Sequence, residues 1–445
     1  MKRKIMNELI EWKNTSAGKS AALIVGARRV GKSYIVEQFA KDYYKAHLII
    51  DFTKVGDQIK DLFLHQVDDF DTFFTLLQTY YGITFTERDT LIVFDEVQAF
   101  PRARELIKHF VADGRYDYVE TGSLMSIKEN VKDILIPSEE REFKMHPMDF
   151  EEFLWAIGEE NTYESLRFFY EKRKPLGQAV HRKMMTLFRQ YLITGGMPQP
   201  VQTYIDTRNF KEVDKIKRDI LRLYDGDIEK HGGKEASRIR QIYDLIPAQL
   251  SGANKRFMFS SISDTARYRE YENALLWLAD AKMVNLCYNT TEPSVGLMTR
   301  MDISAFKCYQ SDTGLLLSQS FSEKDLARDE IYKKILFDKL EFNNGLIMEN
   351  AISQMLVAGG HDLYYYSETE DRMEIDFLLT KSVLTARKNI MPVEVKSGKG
   401  FITTSLDKYR KKFSQQVGEC FVLYDGDICE KDGVTYLPLY MAGMM

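Results

Sequence analysis

Cysteine is scarce in this 445-residue sequence: only Cys287, Cys308, Cys420 and Cys429 occur, and no two form a CxxC pair. That argues against a disulfide framework and against a cysteine-ligated zinc site, and leaves reduced, mostly buried thiols as the expectation. No uninterrupted apolar run approaches the ~20 residues needed to span a bilayer. The opening stretch, MKRKIMNELIEWKN, carries charge throughout, so it reads as neither a signal peptide nor a membrane anchor. A cytoplasmic protein with no membrane partner is expected. Excess charge is missing too: the net charge of −5 gives no global attraction for nucleic acid, which would have to be bound by a local basic face. Two basic clusters exist, Lys215, Lys217, Arg218 and Arg222 on one predicted helix, and Lys408, Arg410, Lys411 and Lys412 on another. Both read as solvated helix faces balanced by nearby Asp and Glu.

What the sequence does have is enough apolar content, 44%, for a fully folded chain, and a length beyond one core, since single cores stop growing at roughly 250 to 300 residues. Apolar runs at 21–25, 47–52, 91–94 and 116–121 alternate with helical patterns such as 32–43 and 104–112, the mark of a parallel sheet flanked by helices. From about Pro147 the pattern turns helical and aromatic-rich, broken by Gly195, Gly196 and Pro198. Three helical stretches (239–250, 262–265, 269–281) and two strands (283–288, 306–309) then follow in the order of a winged helix, with a plain helical subdomain as the alternative. The last part opens with a helix and returns to strands at 363–367, 374–379, 392–396 and 419–424, before a methionine-rich tail that carries little information. The expected division is 1–146, an α/β nucleotide-binding core; 147–236, a helical subdomain; 237–330, a winged helix; and 331–445, a second α/β domain.

GARRVGKS, at 26–33, fits GxxxxGKS. In such a loop glycines let the backbone wrap an anion and turn its N–H groups inward. The expected nucleotide-binding residues are Gly26, Arg28, Arg29, Val30, Gly31, Lys32 and Ser33. Lys32 would contact the β and γ phosphates, and Ser33 would offer its hydroxyl to Mg2+ at the N-terminus of the following helix. LIVFDE, at 91–96, is a buried strand ending in two acids at the sheet edge where ligands bind. Asp95 is expected to hold Mg2+, and Glu96 to orient or deprotonate the attacking water. After the next strand, Thr121 or Ser123 would reach the γ-phosphate or the water, the alternative being a simple turn with Ser123 as a helix cap. ATP and Mg2+ are therefore the expected cofactors.

With these residues in view the chain resembles the AAA+ ATPases of bacteria and archaea that carry a C-terminal nuclease-like domain of unknown function. The resemblance includes GARRVGKS, LIVFDE, the TGS at 121–123, PMDFEEFLWA at 147–156, GGMP at 195–198, YQSDTGLL at 309–316 and EVKSG at 394–398. Many relatives have a Gly-Arg pair before the segment matching PMDFEEF; Glu140-Arg141 stands there in this chain, which leaves Arg141 an insecure arginine finger and a homo-oligomer a candidate assembly.

Glu349 on a predicted helix, Asp376 on a strand, and Glu394 and Lys396 on another strand repeat the pattern of the PD-(D/E)XK nucleases. Residues i and i+2 of a strand share a face, so Glu394 and Lys396 fall together. The four are expected to gather at one pocket, with Asp376 and Glu394 holding Mg2+ and Lys396 orienting water. DNA is the candidate partner. Cleavage and mere recognition both remain open, because a scaffold of this kind can persist without its chemistry.

Overall fold

Continuous apolar strands such as Ala21–Val25 and Thr90–Asp95 are buried on both faces, as a parallel sheet between helical layers requires. The computed structural model describes residues 1–122, 138–252, 255–322, 330–337, 344–368, 373–385, 387–397 and 402–445. These residues divide into two compact units, one essentially 2–146 and the other 147–279 with 283–445.

The first unit holds five parallel strands: β1 (Ala21–Val25), β2 (Ala46–Asp51), β3 (Thr90–Asp95), β4 (Asp117–Gly122) and β5 (Glu140–Lys144), in the order β2-β3-β4-β1-β5. β4 lies between β1 and β3 and pairs with both, so the glycine-loop strand and the acid-ending strand are second neighbours. One face packs Phe52, Phe63, Phe73, Phe94 and Phe110 into an aromatic core, and the other packs Trp12, Ile35, Val36 and Phe39. Edge-to-face pairs such as Phe52–Phe63, with centroids 5.5 Å apart, tie the first core together.

The second unit contains an eight-stranded mixed sheet: β6 (Val284–Thr290), β7 (Met301–Gln310), β8 (Leu363–Glu368), β9 (Met373–Thr380), β10 (Ile390–Val395), β11 (Phe421–Tyr424), β12 (Cys429–Lys431) and β13 (Val434–Pro438), in the order β12-β13-β11-β10-β9-β8-β6-β7. The hairpin read from sequence as a wing is present as β6 and β7. Its outer bonds, however, go to β8 in parallel, from Cys287–Leu363 to Asn289–Tyr365. The boundaries expected at 236/237 and 330/331 therefore fall inside one unit. Of the three expected helices there, Ala236–Ser251 and Tyr268–Asp280 form, while 262–265 is preceded only by a 3-10 turn at Phe259–Ser261. The methionine-rich tail is also structural, since Leu439, Tyr440, Met441 and Ala442 are buried.

A buried polar junction joins three of the motifs that carried the resemblance. Asp312 caps the helix Thr313–Ser320 through Leu315 N–H at 2.9 Å, and its other oxygen accepts from Gly196 N–H. Gly196 O in turn accepts from Met148 N–H at 2.7 Å, and a Cβ on Gly196 would meet Met148 O at 2.0 Å. Gln354 bridges the same place, donating to Met148 O at 3.1 Å and accepting from Thr313 N–H at 2.8 Å. GGMP, SDTG and PMD are thus complementary parts of one hydrogen-bonded lock. Nearby Lys217 is fully buried and donates to Ile193 O at 2.7 Å. The solvated-face reading fails for that lysine, although Lys215 and Arg218 do pair with Glu212 and Asp214, at 2.8 and 2.7 Å.

Candidate functional site

The loop between β1 and the helix Lys32–Tyr43 is built around two close approaches. A side chain at Gly26 would meet Met145 O at 2.3 Å, and Gly31 has φ of +102°, open only to glycine at low cost. Val30 anchors the loop in the hydrophobic core, so its contribution to an anion is its backbone. Arg28 is half-buried and Arg29 exposed, with Arg29 in the left-handed region at φ +67°. Lys32 is buried, and its ammonium donates to Gly26 O at 2.9 Å and Ala27 O at 3.1 Å, folding back over the loop's mouth.

Opposite the loop, β3 delivers Asp95 at its C-terminal end. Ser33 donates to Asp95 Oδ1 at 2.9 Å, and Thr121 of β4 donates to the same oxygen. Thr121 is therefore the hydroxyl beside the carboxylate; Ser123 lies outside the described residues. Burial raises the Asp95 pKa, the Thr121 and Ser33 hydrogen bonds oppose that shift, and the charges of Glu96 and Asp51 add to it. A hydroxyl and a buried carboxylate at a carboxylate-rich edge are hard oxygen donors of the kind Mg2+ takes, and the residues fit that ion. Glu96 follows in the left-handed region at φ +52°, its carboxylate held by the Gln98 side-chain amide. Non-glycine residues in that region cost on the order of 1 to 3 kcal/mol and cluster where function requires them. Arg141 is exposed and in register with Ala22, at the start of β1 rather than its loop end.

Two members of the site escaped the sequence reading. Asp51 ends β2 in register with Asp95, and Gln98 holds Glu96. Asp51 had a signal in HLIID, an apolar strand closing on an acid as in LIVFD.

In the second unit, Glu349, Asp376, Glu394 and Lys396 sit around one acidic cleft. Val395 N–H donates to Asp376 Oδ2 at 2.8 Å, and Lys396 Nζ is 3.1 Å from Glu394. Burial pushes the Glu394 carboxyl up to about 7, with Lys396 opposing and Asp376 adding to the shift. Two of these carboxylates, Glu349 and Asp376, however, face a residue the sequence reading passed over. Lys307 of β7, fully buried, lies 2.7 Å from Glu374, 3.5 Å from Asp376 and 3.9 Å from Glu349. Burial disfavours its charge, but Glu349, Asp376 and Glu374 outweigh that cost and hold the ammonium well above its usual range. Glu349 also pairs with Lys255 and accepts from the Tyr309 hydroxyl at 3.1 Å.

Asp376 and Glu394 are the pair expected to hold a metal. Among the described residues no three His, Cys, Asp or Glu side chains gather closely enough to ligate one ion. Carboxylates brought together in a buried cleft need a counter-charge, and lysines supply it. The overlooked signal was Lys307 itself, a lysine between Phe306 and Cys308 in the buried second half of β7.

Among known proteins, residues 18–154 match the family described as AAA domain. Residues 185–325 match a domain of unknown function (DUF8612), and 344–441 match another (DUF4143). No curated protein matches the chain. Of solved structures, a Walker-type ATPase of Pyrococcus abyssi is 14% identical over 72% of this chain and 96% of its own, with a TM-score of 0.41. The Drosophila ORC bound to DNA is 13% identical over 68% and 90%, with a TM-score of 0.30. The Aeropyrum pernix ORC1 protein in complex with DNA is 12% identical over 74% and 94%, with a TM-score of 0.27. No helix among the described residues is long and apolar enough to cross a membrane.

Proposed function

We propose that the AAA ATPase of residues 18–154 binds ATP in the loop Gly26–Ser33 and couples its hydrolysis to a second unit that recognises nucleic acid. The observation carrying the ATPase reading is the Ser33 hydroxyl against the Asp95 carboxylate, 2.9 Å apart beside a buried Lys32. The loop's N–H groups and the helix N-terminus attract the phosphates, and Lys32 exchanges its carbonyl partners Gly26 and Ala27 for phosphate oxygens. Ser33 and Asp95 would hold Mg2+, which when bound screens the charge on the phosphate oxygens. Glu96 accepts the proton of the attacking water, with Gln98 fixing its carboxylate. Thr121 holds Asp95 in place, as a hydrogen-bonding partner behind a ligand does.

Nucleic acid is assigned to the second unit through the nuclease-like order of Glu349, Asp376, Glu394 and Lys396. The presence of Lys307 among those carboxylates favours recognition over cleavage. ATP turnover by the full chain, measured with and without DNA, tests the coupling. A rate that rises with DNA supports it, and a rate indifferent to DNA and RNA at low salt refutes it.

A further inference from the structure

We infer that Lys307 is the built-in cation of the acidic cleft, standing where a nuclease-like site would take its divalent metal, so that the second unit works without a metal at these carboxylates. The inference rests on the nuclease-like reading of Glu349, Asp376, Glu394 and Lys396. Two of those residues, Glu349 and Asp376, face Lys307 directly at 3.9 and 3.5 Å, and Glu374 closes on it at 2.7 Å. The ring of Tyr365 lies against the same ammonium, 5.1 Å from its centroid, a contact that favours a cation over a neutral group.

Apart from Glu394, whose oxygens are buried without a full hydrogen bond, the oxygens a metal would need are already engaged. Asp376 directs Oδ1 to Lys307 and accepts the Val395 N–H at Oδ2. Glu349 gives one oxygen to Lys255 and the other to Tyr309. Glu394 lies against Lys396 at 3.1 Å. Mg2+ demands near-octahedral oxygens at roughly 2.0 to 2.1 Å, and an ammonium already lies among these oxygens. Charge points the same way. With every group in its ionised form, Glu349, Glu374, Asp376 and Glu394 contribute −4 and Lys255, Lys307 and Lys396 contribute +3, a formal sum of −1. A divalent ion added to that set would reverse its sign and repel a fully buried ammonium at short range, where screening is weak. Lys307 comes from β7, a strand assigned by sequence to a different domain, and reaches the cleft because β7 and β9 belong to one sheet. Neutralising the cleft with a side chain makes the fold independent of metal supply, at the loss of a metal-activated water.

The test is Mn2+ binding to the full chain without nucleotide, followed by electron paramagnetic resonance, in wild type, Asp376→Asn, Lys307→Met and the Lys307→Met/Asp376→Asn double variant. Wild type is expected to show no Mn2+ binding that depends on Asp376. Lys307→Met is expected to gain one site per chain, lost again in the double variant. Mn2+ bound by wild type and lost in Asp376→Asn overturns the inference. A folded Lys307→Met that gains no Mn2+ also overturns it, and locates the failure in the nuclease-like reading, because the carboxylates would then have no metal-binding geometry to uncover. Should Lys307→Met not fold, the comparison of wild type with Asp376→Asn decides alone, with Asp376-dependent Mn2+ overturning the inference and its absence in wild type supporting it.

Discussion

Ser33 and Asp95 are 62 residues apart in sequence, and the Ser33 hydroxyl donates to the Asp95 carboxylate at 2.9 Å. The bond joins the first turn of the helix Lys32–Tyr43 to the end of β3, so the loop and the acid are positioned before any ligand arrives. Ser33→Ala removes it. A hydrogen bond to a charged group is worth about 1.5 to 3 kcal/mol, or about ten- to a hundredfold in rate. Mg2+-dependent ATP hydrolysis is expected to fall by that factor, with part of the loss recovered at higher Mg2+. Steady-state rates across a Mg2+ series check this.

Asp312 serves the second unit as a structural acceptor. Asp312→Ala leaves the Gly196 and Leu315 N–H groups without their acceptor, and loss of these two buried bonds, one of them the helix cap, should cost about 2 to 4 kcal/mol. Chemical denaturation is expected to show the second unit unfolding earlier. ATP affinity, which belongs to the first unit, should stay at the wild-type value.

Lys217 makes stability depend on pH in a direction opposite to most lysines. Burial pushes its ammonium from 10.5 down to about 8, against the pull of Asp214 and Asp312. Between pH 8 and 10.5 the unfolded chain therefore binds the extra proton, so the contribution of this group to stability rises with pH. The unfolding free energy of wild type relative to Lys217→Met should increase by about 2 kcal/mol between pH 7.5 and 10. A difference that stays flat would mean the site does not depress the ammonium.

The sheet also predicts where the chain can be cut. A fragment ending at residue 330 lacks β8 and leaves the β6 edge that pairs with it unsatisfied. It should lack a cooperative thermal transition by circular dichroism, whereas residues 147–445 should show one.

The first unit was open to reading because β1 and β3 are built on unbroken apolar runs, AALIV and LIVF, and the site residues sit at the ends of those runs. Gly26, Lys32, Ser33, Asp95 and Glu96 could be placed by motif alone. The second unit resisted because its pairing is non-local. Strand β6 bonds to β8, beginning 73 residues after β6 ends (363 − 290), and nothing in either strand's composition announces the partner. Reading β6 and β7 as a wing followed from their order alone. Lys307 was missed for the same reason, since its partners Glu349, Glu374 and Asp376 all lie beyond the boundary drawn at 330. Local turn chemistry gave the glycines of GGMP as a helix break. The close approach of Met148 O that forbids a side chain at Gly196 is a tertiary fact.

The central claim is that the loop at Gly26–Ser33 binds ATP and that Glu96 then drives its hydrolysis. Equilibrium binding of ATP and single-turnover hydrolysis, measured on wild type, Lys32→Ala and Glu96→Gln, test both halves together. Lys32 faces the phosphates in the ground state, whereas Glu96 acts on the water only as the reaction proceeds. Lys32→Ala should therefore lose ATP binding, and Glu96→Gln should bind ATP like wild type while hydrolysis falls by a hundredfold or more, on the order expected for a lost general base. Wild-type ATP affinity in Lys32→Ala, or wild-type turnover in Glu96→Gln, would contradict the account.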